Sequence, residues 1–168
     1  MTLSKLKANL TNVQRGYMWE LIIPSPKGDS DTETIRLRAH SAVIPGRSHG
    51  AIHVDFKQSA GFNVPGKLRF PQEITFLMLE GEDAKTHEFF YSWMQAINSD
   101  ETNLGLGDVA IKGTIYMRLL STNNAETLKL ALEGAYPKSV ADVPVDMREE
   151  SEVRYPVTFS YDRWVNKG

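Results

Sequence analysis

Only one stretch of this chain spaces its apolar residues for a helix. In "GEDAKTHEFFYSWMQAIN", residues 81–98, Phe90, Trp93, Met94 and Ile97 fall at i, i+3, i+4 and i+7. Asp83 is placed to cap its first turn and Asn98 stands near its end. The remaining periodic segments alternate at two: Tyr17 to Ile23, Thr34 to Ser41, Ile52 to Lys57, Ile74 to Leu79, Ala110 to Leu120, Thr127 to Glu133 and Val153 to Tyr161. Parallel strands need a crossover, usually a helix, between each pair, and a single helix cannot supply that many. The sequence therefore predicts a mainly β fold of antiparallel sheets, a sandwich or partly open barrel, with one flanking helix over 84–97 closing an end.

Two of the alternating stretches oppose an apolar face to a charged one. Thr34 to Ser41 puts Ile35, Leu37 and Ala39 on one face and Arg36, Arg38 and His40 on the other. Ile52 to Lys57 sets Ile52, Val54 and Phe56 opposite His53, Asp55 and Lys57. The two are expected to pair across "VIPGRSHGA", where Pro45 and Gly46 suit a turn with Arg47 beside it. "PSPKGDSD" reads as an exposed loop, and "SAGFNVPGKLRFP", with its glycines and prolines, as a connection.

At 168 residues the chain fits one domain able to bury a core without a disulfide or a metal. It has no cysteine, which removes zinc-ribbon, disulfide-scaffold and thiol-nucleophile chemistry and is compatible with assembly in a reducing cytosol. With 19 basic and 21 acidic residues its net charge of -2 offers no global field for duplex binding. No run approaches the ~18 to 20 apolar residues of a membrane helix, so a soluble protein without an export signal or membrane partner is expected.

Several motifs imitate catalytic or binding sites. "GRSHG" at 46–50 matches the nucleophile elbow G-x-S-x-G around Ser48, but an elbow leads from a strand into a helix, and here a strand follows. "GLGDVA" at 105–110 lacks the preceding strand of a dinucleotide loop. His49 and His53 stand four apart, more than 12 Å along a strand of ~3.3 Å rise, and neither His40 nor His87 makes a third metal ligand from sequence. Glu80, Glu82 and Asp83 suit the positive end of the helix that follows them. The arginines of the polar faces, Arg36, Arg38, Arg69 and Arg118, read as solvated sheet positions. No catalytic, cofactor or metal site is expected, and so no enzyme.

What remains is an excess of unfinished edges. Ile52 to Phe56, Ile115 to Leu119 and Leu128 to Leu132 contain no proline to blunt them, so pairing with another copy is a physically reasonable fate. Leu3, Leu6, Leu10 and Val13 add an apolar stripe on a short arm, residues 1–15, ahead of a β core over 16–164 in a single domain of 1–168. Both features point to self-assembly.

The order "GYMWELIIP", "LRAHSAVIPG", "THEFFYSWMQAIN", "LEGAYPKSVADVPVD" and "EVRYPVTFSYDRW" resembles the tail tube protein of contractile-tailed bacteriophages, the T4-like family. Its most specific parts are Ala42 to Gly46 and the series Gly134, Tyr136-Pro137, Val140, Asp146, Glu152-Val153, Val157, Phe159, Asp162 and Trp164. The likeness runs from about residue 13 to 164. It implies two packed antiparallel sheets with a flanking helix, in six-membered rings that stack into a hollow tube. Partners would be further copies of the chain, a sheath on the outer wall, tape measure protein and then DNA in the lumen, and a baseplate initiator and tail terminator at the ends. The place would be the virion tail, with assembly in the host cytoplasm.

On that resemblance Thr34, Arg36, Arg38, His40, His53, Asp55 and Lys57 are candidates to line the channel, with the arginines offset by acids such as Asp55 or Glu33. Pro45, Gly46 and Arg47 are a candidate stacking or turn loop, and Leu3, Leu6, Leu10 and Val13 the assembly arm. A baseplate tube initiator and the ring protein of type VI secretion are similar alternatives. From another class, a carbohydrate-binding sandwich would use Trp19, Trp93 and Trp164, although Trp93 lies in the helix stripe and Trp19 in the first strand.

Overall fold

The computed structural model describes residues 13–25, 32–57, 59–100, 102, 104, 105, 107, 111–148 and 150–168, together with Ser4 and Lys7. Among these residues nine strands and two helices follow one another as β1 (Trp19–Ile22), α1 (Thr32–Leu37), β2 (Ala39–Ser41), β3 (Ser48–Phe56), β4 (Ser59–Arg69), β5 (Glu73–Leu79), α2 (Lys85–Ile97), β6 (Gly113–Leu120), β7 (Glu126–Val140), β8 (Arg154–Ser160) and β9 (Arg163–Asn166). Every ladder is antiparallel. Seven strands form one sheet in the order β1-β6-β7-β8-β5-β2, with β9 also on β7, while β3 and β4 pair, among the described residues, only with each other.

The large sheet turns a corner on β7. Its first half pairs with β6 and β9, its second half with β8. The register that sets Tyr136 opposite Ser160 also sets Glu133 opposite Arg163 without a slip, so β9 continues β8 past Tyr161 and Asp162. Both strands bend at the same level, where Gly134 takes a left-handed φ of 68° and Asp162 N–H donates to Glu133 O at 3.0 Å. Gly134 and Asp162 are thus the two sides of one bend.

The folded-over sheet encloses the core. Phe76 and Met78 of β5, Val157 and Phe159 of β8, Leu132 of β7, Ile115 of β6 and Leu21 of β1 are buried together. Helix α2 closes one side: Phe90 and Trp93 each set their rings 5.9 Å from that of Phe159, and Trp93 Nε1 donates to Ile111 O at 2.9 Å. The helix stripe thus packs on β8, with Phe89 and Thr86 buried too, while Met94 and Ile97 are half-buried.

The structure corrects several sequence expectations. Thr34 to Ser41 is not one strand: residues 32–37 are helical, and only Ala39–Ser41 is extended. Six residues are too few to display a 3.6-residue period, so the Ile35/Leu37 alternation mimicked a strand; in fact Ile35 is buried and Leu37 is 76 % exposed. Glu33 in the first turn and Arg36 in the last suit the helix dipole. There are thus two helices among the described residues, not one.

The expected pairing also fails, since β2 pairs with β5 and β3 with β4. "SAGFNVPGKLRFP" is largely strand β4 rather than a connection. Its breakers are devices of a bulged hairpin: the ladder shifts register between His49 and Ala51 and between Val54 and Phe56, and a Cβ on Gly61 would meet Val54 O at 2.8 Å. Finally, Ile115 to Leu119 and Leu128 to Leu132 are not edges, because β6 and β7 have neighbours on both sides.

Candidate functional site

Strand alternation decides what the β3–β4 hairpin offers. Ile52 lies opposite Val64 and Val54 opposite Phe62, so Ile52, Val54, Phe56, Phe62 and Val64 share one face. His53 lies opposite Asn63 on the other, with Asp55 beyond it. The hairpin is amphipathic, and its apolar face is largely open among the described residues: Ile52 is 57 %, Phe56 66 % and Phe62 53 % exposed, with Val54 half-buried. Monomeric proteins rarely leave such a face bare, and among the described residues neither hairpin strand pairs with a third.

The root of the hairpin is fixed to the end of the large sheet. The Arg47 guanidinium lies 3.9 Å from the centre of the Trp164 ring, and its Nη2 donates to Trp164 O at 3.3 Å. Trp164 Nε1 donates in turn to Gly46 O at 3.4 Å, and Pro45 is buried beneath. Pro45, Gly46 and Arg47 are therefore the anchor of the hairpin on β9.

The candidate channel residues do not form one group. Thr34 and Arg36 are on α1, where Arg36 Nε lies 3.4 Å from Glu20 of β1. His40 is exposed on β2. Of the candidates, His53 and Asp55 come together, with His53 Nε2 at 3.0 Å from Asp55 Oδ1 and its Nδ1 at 2.9 Å from Asn63 Oδ1, while Lys57 lies exposed in the turn just past β3.

Arg38 is committed elsewhere. It binds Asp83 Oδ1 at 2.6 Å, Glu80 Oε1 at 3.3 Å and Thr86 Oγ1 at 3.2 Å. Glu80 also accepts the helix N–H groups of Thr86 at 3.1 Å and His87 at 2.8 Å. Asp83 Oδ1 accepts the first free donor of α2, the Lys85 N–H at 3.4 Å, so the expected capping acid is joined by Glu80 on the next two, as suits acids at the positive helix end. The Arg38 hydrogen bond holds the Asp83 carboxyl below the ordinary carboxylate range. The acids that balance the arginines are Glu20, Glu80, Asp83 and, for Arg118, Glu126 at 3.1 Å, not Asp55 or Glu33.

Of the arm, Leu3, Leu6 and Leu10 lie outside the described residues, and Val13 is 62 % exposed. Gln14 fixes the chain just after it, donating from Nε2 to Leu120 O at 2.9 Å and accepting from Thr127 Oγ1 at 3.2 Å. Ser48 stands within β3 with its hydroxyl turned to Arg69 O at 3.4 Å, so no strand-to-helix elbow surrounds it. Among the described residues no three His, Asp or Glu side chains converge as metal ligands, and no helix is long and apolar enough to cross a membrane.

What sequence reasoning missed was β4, and with it the second half of the apolar face. The signal was there in Phe62 and Val64, which alternate with Asn63, but the adjacent Gly61, Pro65 and Gly66 concealed it.

No curated protein sequence matches this chain. Among solved structures, a chain of the sheath–tube complex of an extracellular contractile injection system in its extended state superposes with a TM-score of 0.65 at 14% identity, covering 100% of this chain and 99% of that one. A chain of the sheath/tube terminator of such a system in the extended state gives 0.66 at 15%, covering 92% and 96%. A chain of the tube-terminating cap of the anti-feeding prophage gives 0.65 at 16%, covering 92% and 91%. At these identities the likeness is one of fold. The profile of the phage tail tube proteins matches the sequence itself over residues 9–167. Matched along nearly its whole length, the chain belongs to the phage tail tube protein family, a family of structural tube proteins and not of enzymes.

Proposed function

We propose that this protein is the repeating subunit of a contractile tail tube. Copies close into six-membered rings, the rings stack into a hollow conduit, and DNA passes through it into the host during contraction. The observation that carries the reading is the bare apolar face of the β3–β4 hairpin, with Ile52, Phe56 and Phe62 exposed in the single chain. Each such side chain removed from water contributes roughly 1.5 to 3 kcal/mol, so several per boundary supply a substantial driving force for association.

On this reading the polar face of the hairpin, His53, Asp55 and Lys57, looks into the lumen. Its single acid and single lysine balance, which suits a passage that must not hold phosphate, since each neutralised phosphate strengthens the contact. A sheath surrounds the outer wall, tape measure protein and then DNA occupy the lumen, and an initiator and a terminator close the ends. The tube is assembled in the host cytoplasm and becomes part of the virion. The likeness to chains of sheath–tube and terminator complexes supports the sheath and the terminator as partners.

Electron microscopy of the purified protein tests the reading. A repeating subunit gives tubes of varied length and six-fold end views, whereas an initiator or terminator stops at single rings. A protein that stays monomeric at all concentrations would sink the proposal.

A further inference from the structure

Helix α2 and the second half of β7 leave a groove between them, ≈ 360 Å³ in volume and mainly apolar. Half-buried Met94 and Ile97, buried Pro137 and the side chains of Tyr91 and Tyr136 line it. Its charge is one-sided. Lys138 in the lining is neutralised by Glu73 at 2.5 Å. Asp100, by contrast, is held by neutral groups: Tyr91 Oη donates to its Oδ2 at 3.3 Å, Gln95 Nε2 donates to the same oxygen, and its own N–H donates to Gln95 Oε1 at 3.1 Å. Glu88 stands exposed on α2 three residues before Tyr91, a turn back on the same face. A carboxylate fixed by neutral donors beside an apolar groove suits a partner that brings aliphatic and basic side chains together.

The chain carries such a segment. Residues 1–12, "MTLSKLKANLTN", space Leu3, Leu6 and Leu10 at i, i+3 and i+7 and hold Lys5 and Lys7 with no acid. Ser4 and Lys7, the two of these residues that the structure describes, are helical and exposed. On a helix Lys7 borders the leucine stripe, four residues past Leu3.

Reach decides whose groove the arm can fill. Gln14, where the arm joins the fold, is tied to Leu120 and Thr127 at the β6–β7 turn. From Thr127 to the bend at Gly134 strand β7 runs roughly 23 Å, and the groove lies beyond that bend, at Tyr136. A helical arm of residues 1–12 spans only about 18 Å. It is too short for the groove of its own chain.

We infer that the arm of one copy seats in the α2–β7 groove of another. Leu3, Leu6 and Leu10 enter the groove against Met94, Ile97 and Pro137, and Lys5 and Lys7 lie toward Glu88 and Asp100. The contact joins two different patches, so it passes from copy to copy rather than closing a two-fold dimer. This rests on the self-assembly proposed for the chain and adds which surface receives the arm. The leucines carry the affinity, while the charges set orientation and are weakened by salt.

The absence of cysteine makes the test direct. Asn98 lines the groove and is exposed, so it can be replaced without disturbing the core. A chain carrying both Leu6→Cys and Asn98→Cys, mildly oxidised under assembling conditions, should give a covalent ladder extending beyond the dimer, which neither single variant can do. Lys5→Glu with Lys7→Glu should raise the concentration needed for assembly about tenfold, and adding Glu88→Lys with Asp100→Lys should restore it. Unchanged circular dichroism shows that each variant is folded. If wild type assembles while the ladder stops at the dimer, or the bond closes within one chain, the arm sits elsewhere and the inference is overturned, with self-assembly intact. Charge reversals that fail to compensate overturn it equally. If wild type does not assemble at all, the proposed function falls and the docking with it.

Discussion

Gly134 occupies the one place in β7 where the carboxylate of Asp162 leaves no room for a side chain. A Cβ there would overlap that carboxylate, and the left-handed φ of 68° would strain any L residue besides. Gly134→Ala should lose at least about 1 to 2 kcal/mol from the backbone alone, with the steric clash added. Denaturant titration measures it. Combining it with Asp162→Gly should recover the steric part and leave the backbone part; if the double variant is no more stable than Gly134→Ala, the corner is not what constrains the glycine.

Trp93→Ala removes a buried ring from Phe159 and leaves Ile111 O without its donor. The loss should be about 3 to 5 kcal/mol, enough to unfold many small domains. Insoluble subunits are expected, and Trp93→Phe, which keeps most of the ring contact, should remain soluble. Soluble Trp93→Ala protein that still builds tubes would contradict the packing.

Acid should weaken the fold through its paired carboxylates. Asp83, hydrogen-bonded by Arg38, Glu133 by Arg163 and Glu152 by Arg154 all have lowered pKa values. A depressed folded pKa adds stability that is complete above the ordinary carboxylate range, about 4, and is lost as pH falls through the folded value. Melting temperature should therefore decline between pH 5 and 2, a range set by about those values. Asp83→Asn should shallow that decline; an unchanged slope would show that the Arg38 pair contributes nothing in solution.

Charging the apolar face should separate folding from assembly. Ile52→Asp with Phe62→Asp alters only side chains that are exposed in the single chain, so the melt should be native. Lost burial of two such groups should raise the assembly concentration by well over tenfold. A lower melting temperature instead would mean that the face is covered within the subunit.

The arm is tested by Leu6→Asp with Leu10→Asp, which should leave a native melt and no tubes at concentrations where wild type forms them. An early melt would place these leucines in the subunit's own core.

Long periodic segments were legible in the sequence, and compensated irregularities were not. The α2 stripe and the β5 and β8 alternations appear where expected because each buries a continuous face, as Phe76, Val157 and Phe159 do. Helix α1 was hidden because a single buried residue, Ile35, carries no period. Strand β4 was hidden because Pro65 and Gly66 are unfavourable inside a sheet but tolerable on a hairpin with a free edge and a bulge. The anchor at Pro45 to Arg47 was found as a turn, but its partner, Trp164, is more than a hundred residues away, a distance over which period and propensity say nothing. The balance of Arg38 by Glu80 and Asp83 escaped for the same reason, since the sheet alone brings β2 beside β5.

The solitary hairpin has a kinetic consequence. Two strands without a third are marginally stable in water at best, so the amides of β3 and β4 should exchange with solvent deuterium far sooner than those of β5 or β8 in the free subunit, and slow only once a neighbour is in place. A free subunit binds a growing end only in the fraction of time its hairpin is formed, and its apparent affinity is lowered by that same fraction. A hairpin arriving at a tube end meets a surface that holds it closed, whereas two free subunits must both be formed at once. On the proposed tube assembly, that difference would disfavour spontaneous nuclei more than elongation and delay polymerisation away from a template.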